Sequence, residues 1–291
     1  LFDKSMSYVT KHSDDAKSGK PFFLYLPLPA PHTPIVPIAP FRDASGINPY
    51  ADFVMQVDHL MGRLLDCLRE QGLEQNTLVI FTSDNGCSPQ ANFELLEEHG
   101  HDPSAIYRGH KADIFEGGHR VPLIVKWPGH IQPGKVTRGL ACHTDVYATL
   151  EAIAGNSEEF AGGEDGFSLV PFFQGKEHSV RTGLVSHSID GSFAIREGDW
   201  KLCLCYGSGG WSAPKEKQAK TDGFPPLQLF NLSKDPSEKQ NLAEHFPEKV
   251  TELLRLLDDW VKNGRSTPGR QMENDREVAY LPKGVAFPAS D

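Results

Sequence analysis

The sequence contains no long apolar run. Its most apolar stretch, Phe22 to Ala30, is interrupted by Pro27 and Pro29, and it falls far short of the ~20 apolar residues that a membrane-spanning helix needs. A basic stripe is missing as well. Acidic residues outnumber basic ones by 39 to 29 and the formal net charge is −10. Such a surface repels phosphodiester backbones, so a nucleic-acid partner is not expected. Cysteine is scarce and odd in number, five in all, with no metal-type spacing. Cys67 falls on a helical stretch, and Cys203 and Cys205 lie on one side of a strand-like run. They read as buried or half-buried free thiols and not as a disulfide framework, with one pairing left open. There is no internal repeat, no low-complexity tract and no visible leader peptide. The chain starts at Leu1, so that last silence carries no information about export.

What is present is 291 residues with ordinary hydrophobic (38%) and charged (23%) content. At the usual ~150 residues per domain this suggests two domains, and such a chain buries a substantial core. Pro21 to Leu26 is short and almost wholly apolar, the pattern of a strand buried on both faces. The proline-rich segment Pro27 to Pro40 must be a loop. From Tyr50 to Gln71 the residues Val54, Val57, Met61, Leu64, Leu65 and Leu68 recur at helical period, and Gly72 sits where a helix C-terminal glycine belongs. Buried strands are expected at Thr77 to Thr82 and at Val121 to Trp127, and a helix at Thr144 to Ala154. Apolar strands separated by an amphipathic helix predict an α/β sheet covered by helices on both faces. Ligands in such folds bind beyond the strand ends. After Gly175 short alternating runs (183–187, 192–196, 200–206 and 227–232) are punctuated by Asp190-Gly191 and Glu197-Gly198-Asp199. This predicts a smaller antiparallel sheet, followed by a helix from Pro247 to Lys262. The expected division is therefore 1–175 and 176–291.

Three clusters could carry chemistry. Asp84-Asn85 follows a strand and offers two hard oxygen donors, which suit Ca²⁺ or Mg²⁺ and not zinc. The same residues followed by Gly86 also make an ordinary turn. His32 lies in Pro31-His32-Thr33-Pro34, where stiff backbone would hold an imidazole toward an anion or a proton in transfer; a solvated loop histidine is the alternative. Lys111, in Gly109-His110-Lys111, is a point cation near glycines that let a small anion approach; the alternative is a solvated lysine before the Gly117-Gly118 turn. No single cluster decides.

Their order does. A Pro-His-Thr-Pro loop is followed by an amphipathic helix, then strand-Ser83-Asp84-Asn85-Gly86, then Gly109-x-Lys111 and Glu116-Gly117-Gly118 before a strand ending Trp127-Pro128-Gly129. His143-Thr144-Asp145, Gly198-Asp199-Trp200-Lys201-Leu202, Leu229-Phe230-Asn231-Leu232 and Asn241-Leu242-Ala243 come later. Together they resemble the formylglycine-dependent sulfatases of the alkaline-phosphatase superfamily over nearly the whole chain. The resemblance implies an alkaline-phosphatase-like mixed sheet. It gives Asp84 and Asn85 a role in binding Ca²⁺ (ahead of Mg²⁺), and Lys111 and His32 contact with the substrate sulfate. His187 is a weaker substrate-binding candidate, while His119, Arg120 and His143 read as structural. The loop from Cys87 to Arg108, with His99 and His101, reads as solvated.

The departure from the family pattern lies upstream. The family nucleophile is a formylglycine made from a Cys/Ser-x-Pro-x-Arg motif, accompanied by two further metal-binding aspartates. Neither appears before His32, so no nucleophile is assigned to this chain and the modified residue is expected in a preceding segment. Cys87-Ser88-Pro89-Gln90-Ala91 begins like the motif, but Ala91 stands where arginine is required. The implied activity is sulfuric ester hydrolysis of an aryl or carbohydrate sulfate, with the chain alone expected to be inactive and to bind metal weakly. The competing readings are a phosphonate or phosphate ester hydrolase of the same superfamily and a non-catalytic protein that binds sulfated glycans. An exported location follows from kinship only, and oligomeric state is open.

Overall fold

A computed structural model describes residues 1–155 and 163–287. They form two compact units, neither continuous in sequence. The first comprises Leu1–Ser83, Cys87–Ala105 and Pro122–Pro133; the second comprises Asp84–Gly86, Ile106–Val121 and Gly134–Asp291.

The first unit contains α1 (Phe2–Lys11), α2 (Ser13–Lys17), α3 (Pro49–Glu70), β1 (Val79–Thr82), α4 (Phe93–Glu98) and β2 (Leu123–Lys126). The start of α3 follows from Asn48, whose side chain accepts the Ala51 N–H at 2.9 Å, and from Pro49 in the first turn. Its end follows from Gly72 at φ +67, a left-handed position that glycine takes without a Cβ penalty. Phe53, Leu64, Cys67 and Leu68 are buried, and the last three join Phe2, Val9 and Leu73 in one core cluster. Leu64 and Leu68 of the predicted stripe are buried and Met61 packs on the same cluster, whereas Val54 at its start is 42% exposed. Two polar residues share the buried face instead. Asp52 accepts the Asp43 and Ser45 N–H groups and Gln56 accepts that of Ile38, all at 2.8 Å. These bonds tie the loop from Ile38 to Ser45 to the start of α3.

The expected double-sided strand at Pro21 to Leu26 does not form. The segment is extended, but no strand among the described residues pairs with it. Phe22, Leu24 and Leu26 pack on the helical cluster, whereas Phe23 and Tyr25 are 70% and 77% exposed. With no strand beside it the segment has one buried face. β1 and β2 form an antiparallel ladder from Val79↔Lys126 to Thr82↔Leu123. They are less buried than their apolar sequences predict, with Ile124 59% exposed. The helices α1 and α2 were not anticipated.

In the second unit lie α5 (Glu116–His119), α6 (Thr144–Ile153), α7 (Val170–Phe173), β3 (Gly183–His187), β4 (Phe193–Glu197), β5 (Trp200–Cys203), α8 (Glu216–Thr221), β6 (Gln228–Asn231) and α9 (Pro247–Asn263). The sheet runs β3-β4-β5-β6, antiparallel throughout, as the spacing predicts. Alternation sorts its side chains between two cores. Ile195, Leu202 and Leu229 meet Val250, Leu253, Leu254 and Leu257 of α9, and Ala194, Cys203 and Phe230 meet Ile114 and Phe115. Each fully buried leucine contributes roughly 1.5–3 kcal/mol. The fold class is α/β, and all five cysteines are free.

Candidate active site

Asp84 and Asn85 stand immediately after β1, Asp84 exposed and Asn85 half-buried. The following Gly86 shows how this turn is held. Its N–H donates to the Gly118 carbonyl at 3.0 Å. A Cβ on Gly86 would lie 1.8 Å from the Gly117 carbonyl oxygen, so only glycine fits. Gly117 is equally constrained: its N–H donates to Arg108 O at 2.8 Å, and an added Cβ would meet Gly109 O at 2.2 Å. An added Cβ on Gly118 would meet Asp113 O at 2.5 Å and His110 O at 2.9 Å. The turn carrying Asp84 and Asn85 is therefore packed, backbone on backbone, against the segment 108–118 that carries Lys111.

The Lys111 turn is itself tightly specified. Ala112, at φ +84, occupies a region that costs a residue with a Cβ of order 1 kcal/mol or more. Two sets of bonds hold it there. The Ile189 N–H donates to Ala112 O at 3.0 Å. The fully buried Asp113 accepts from the His110, Trp211 and Ser212 N–H groups at 2.8–3.0 Å and from the Ser212 hydroxyl at 2.5 Å. Lys111 is half-buried, and among the described residues it makes no ion pair. A partly desolvated ammonium of this kind gains from a bound anion. The Ile189 bond also brings the end of β3, with His187 edge-on to Phe193 at 4.6 Å, to this turn.

Beneath the glycine turn lies a buried ionic cluster that reading the sequence did not pick out. Lys201, 1% exposed, reaches Glu116 at 3.0 Å and Glu238 at 2.9 Å. Arg120 and Arg196 each approach the other Glu116 oxygen at 3.2 Å. The Glu116 N–H donates to Glu238 at 2.6 Å. Burial alone would raise the Glu116 carboxyl, but Lys201, Arg196 and Arg120 outweigh it and hold the group at about 2. Burial would lower the Lys201 ammonium, yet Glu116 and Glu238 keep it above its ordinary value. The lone charge in Trp-Lys-Leu, on a strand with buried neighbours, was the available signal. His119 is pressed down to about 4, first by burial and then by Lys201, so it is neutral at pH 7.

His32 lies in the first unit on an exposed loop. Its Nδ1 is 2.8 Å from the Thr33 carbonyl oxygen, an atom that can only accept, so Nδ1 carries the proton.

Two sequences resemble the modification motif. At Cys87 the thiol donates to the Tyr50 hydroxyl at 3.1 Å, and burial raises its pKa, which keeps it a thiol. Ser266-Thr267-Pro268-Gly269-Arg270 fits Cys/Ser-x-Pro-x-Arg outright, which reading for upstream motifs missed. It follows α9, and its Ser266, Thr267 and Pro268 line a pocket of about 350 Å³ together with Phe167, Arg181, Thr182 and Trp260. Neither Asp84, Asn85, Lys111 nor His187 lines that pocket. The Ser266 N–H donates to Asp165 at 2.9 Å, and the Thr267 hydroxyl donates to Glu164 O at 2.7 Å. The run is a turn bonded to a neighbouring loop.

The metal-type pair and the anion-type lysine thus lie on adjoining turns of the second unit. The Sulfatase family model matches residues 1–156, more than half of the chain, and the protein belongs to the sulfatase family. Over 264 residues it is 34% identical to N-acetylgalactosamine-6-O-sulfatase of Bacteroides thetaiotaomicron, covering 89% of this chain and 50% of that protein. It is 34% identical over 256 residues to human arylsulfatase A, covering 84% of this chain and 49% of that protein. A Bacteroides thetaiotaomicron structure, solved in work on its metabolism of multiple glycosaminoglycans, superposes with a TM-score of 0.77 at 33% identity, covering 89% of this chain and 53% of the other. The chain thus spans about half the length of the curated relatives it matches.

Proposed function

We propose that this chain supplies the metal pair and the sulfate-contacting side chains of a sulfuric ester hydrolase. The observation that carries the reading is the interlock of the Asp84–Gly86 turn with the glycines beside Lys111. A sulfuryl group in transfer carries negative charge on its oxygens, and charge placed where it develops lowers the barrier. In this reading the Lys111 ammonium meets one sulfate oxygen. His32 is included on family resemblance as a further sulfate contact. Asp113 and Ala112 keep the lysine turn from relaxing, so little reorganisation accompanies binding. His187 is read as a weaker substrate contact. The catalytic portion is read as 1–175 and the smaller portion as 176–291.

The donors fit a hard cation in type. Asp84 offers a carboxylate and Asn85 an amide, as Ca²⁺ prefers, with Mg²⁺ the second choice. They fall short in number, since Ca²⁺ takes six to eight oxygens and no group of three His, Cys, Asp or Glu among the described residues could hold a metal. Weak metal binding by this chain follows. The cation, when bound, supplies Lewis-acid stabilisation of sulfate oxygens. The nucleophile this chemistry requires is a formylglycine, and neither Cys87 nor Ser266 is suited to provide it. The substrate is read as an aryl or carbohydrate sulfate, in line with the names of the relatives. An exported setting follows from kinship; no described helix is long and apolar enough to cross a membrane.

Isothermal titration with sulfate esters tests the reading. Lys111→Ala is expected to weaken binding at least tenfold while Lys135→Ala, at an exposed surface lysine, does not. Turnover of an aryl sulfate by residues 1–291, abolished by Lys111→Ala, would show that the nucleophile does lie within this chain. Equal affinity in the two alanine variants would remove Lys111 from the site.

A further inference from the structure

A rigid loop from the C-terminal sheet region crosses the Lys111 turn and leaves one large aromatic side chain in the open. Residues 208–212 read Ser-Gly-Gly-Trp-Ser. An added Cβ on Gly210 would lie 2.5 Å from Ala112 O, so the loop backbone rests directly on the residue after Lys111. Ile114 N–H donates to Ser208 O at 2.8 Å, and Trp211 and Ser212 N–H donate to Asp113 at 2.8 and 3.0 Å. The Ser208 hydroxyl donates to Ser212 O at 2.7 Å and accepts the Gly210 N–H at 3.1 Å. Yet Trp211 remains 39% exposed. A loop this fully bonded loses little entropy when a ligand arrives, so its tryptophan is already in place. Tryptophan left wet on a preorganised loop beside a candidate anion site fits a ligand with an apolar face next to its charge.

The neighbouring groups indicate which ligand. The exposed Asp190 donates its N–H to Gly209 O at 3.3 Å, and its carboxylate accepts from the Ser188 and Ser192 hydroxyls at 2.7 and 2.8 Å. A carboxylate on the segment bonded to the tryptophan loop suits a ring that has C–H groups on one face and hydroxyls at its edge, and it repels a second anionic substituent. We propose that Trp211 is a specificity-determining residue on which the ring of a monosulfated sugar stacks, with Asp190 accepting its hydroxyls, while the sulfate lies at Lys111. The assignment of the substrate class rests on the reading of Lys111 given above.

The test compares galactose 6-sulfate with methyl sulfate, an ester of the same charge without a ring, by titration of the full 291-residue chain. The wild-type protein is expected to prefer the sugar sulfate about threefold to tenfold. Trp211→Ala should remove that preference and leave methyl sulfate unchanged, and Trp211→Phe should keep most of it. Tryptophan emission should respond to the sugar sulfate in the wild type and not in Trp211→Phe. Equal weakening of both esters in Trp211→Ala would make the residue structural and overturn the proposal. So would an unchanged preference in that variant, or no preference in the wild type, including binding of neither ester. Lys111→Ala separates the two readings. If it leaves both affinities intact while Trp211→Ala still abolishes the preference, the stacking platform stands and the lysine assignment falls.

Discussion

The two compact units use opposite strategies on one chain. The second closes its four-stranded sheet on both faces, with α9 on one side and Ile114 and Phe115 on the other, and buries an ionic cluster within. The first has a two-stranded ladder with half-buried strands and leaves Phe23, Tyr25 and Ile124 largely exposed. A two-stranded ladder is marginal in water by itself. The lesson is that the proposed turns are held from within the second unit. Asp113, Gly118 and Ala112 are fastened by Trp211, Gly86 and Ile189, all members of the second unit.

The strongest way to break this comparison is Lys201→Met. It leaves Glu116 and Glu238 facing each other in a dry interior and is expected to cost about 3–5 kcal/mol. Denaturant melts should show the loss in the transition of the second unit, with that of the first unmoved. A shared loss would mean the units do not unfold separately.

Acid sharpens it next. The folded His119 imidazole sits at about 4 against an ordinary 6.5. Between those values the unfolded chain binds more protons than the folded one, so stability is full above pH 6.5 and falls as pH drops toward 4. A loss on the order of 1–3 kcal/mol is expected over that window. His119→Gln should flatten the profile. Glu116, held at about 2, adds a second loss that begins only below about pH 4.5. Stability that is flat from pH 7 to 5 in the wild type would contradict the burial of a neutral His119.

A smaller effect is expected at Ala112. Glycine tolerates φ +84, so Ala112→Gly should stabilise the second unit by roughly 0.5–1 kcal/mol in chemical denaturation. A destabilised variant would mean the strain lies elsewhere. The smallest effect is none at all. Coexpression with a formylglycine-generating activity should leave Cys87 and Ser266 unmodified by mass spectrometry, because Cys87 is bonded to Tyr50 and Ser266 lies in a turn bonded to Asp165.

Much was legible in the sequence. The β3–β6 meander, α3, α6 and α9 are signalled by local period and by glycine stops, because alternation and helical repeat reflect burial of one face. Asp84, Asn85 and Lys111 were legible as candidates because a strand end and close-packed glycines leave a short-range signature. The buried face at the start of α3 was not, since Asp52 and Gln56 are buried there and bond to loop backbone. Nor was the single-sided packing of Phe22 and Leu24, because an apolar run does not say whether a strand lies beside it.

The sequence by itself determined the family, the order of the elements and the residue types able to hold a cation and an anion. Only tertiary structure decided which of them share a neighbourhood. It set Gly86 against Gly117, rested Gly210 on Ala112 and left Trp211 uncovered beside the Lys111 turn. The physical reason is range. Period and turn chemistry act over a few residues, whereas the contact of two backbones about a hundred residues apart depends on the whole sheet that carries them.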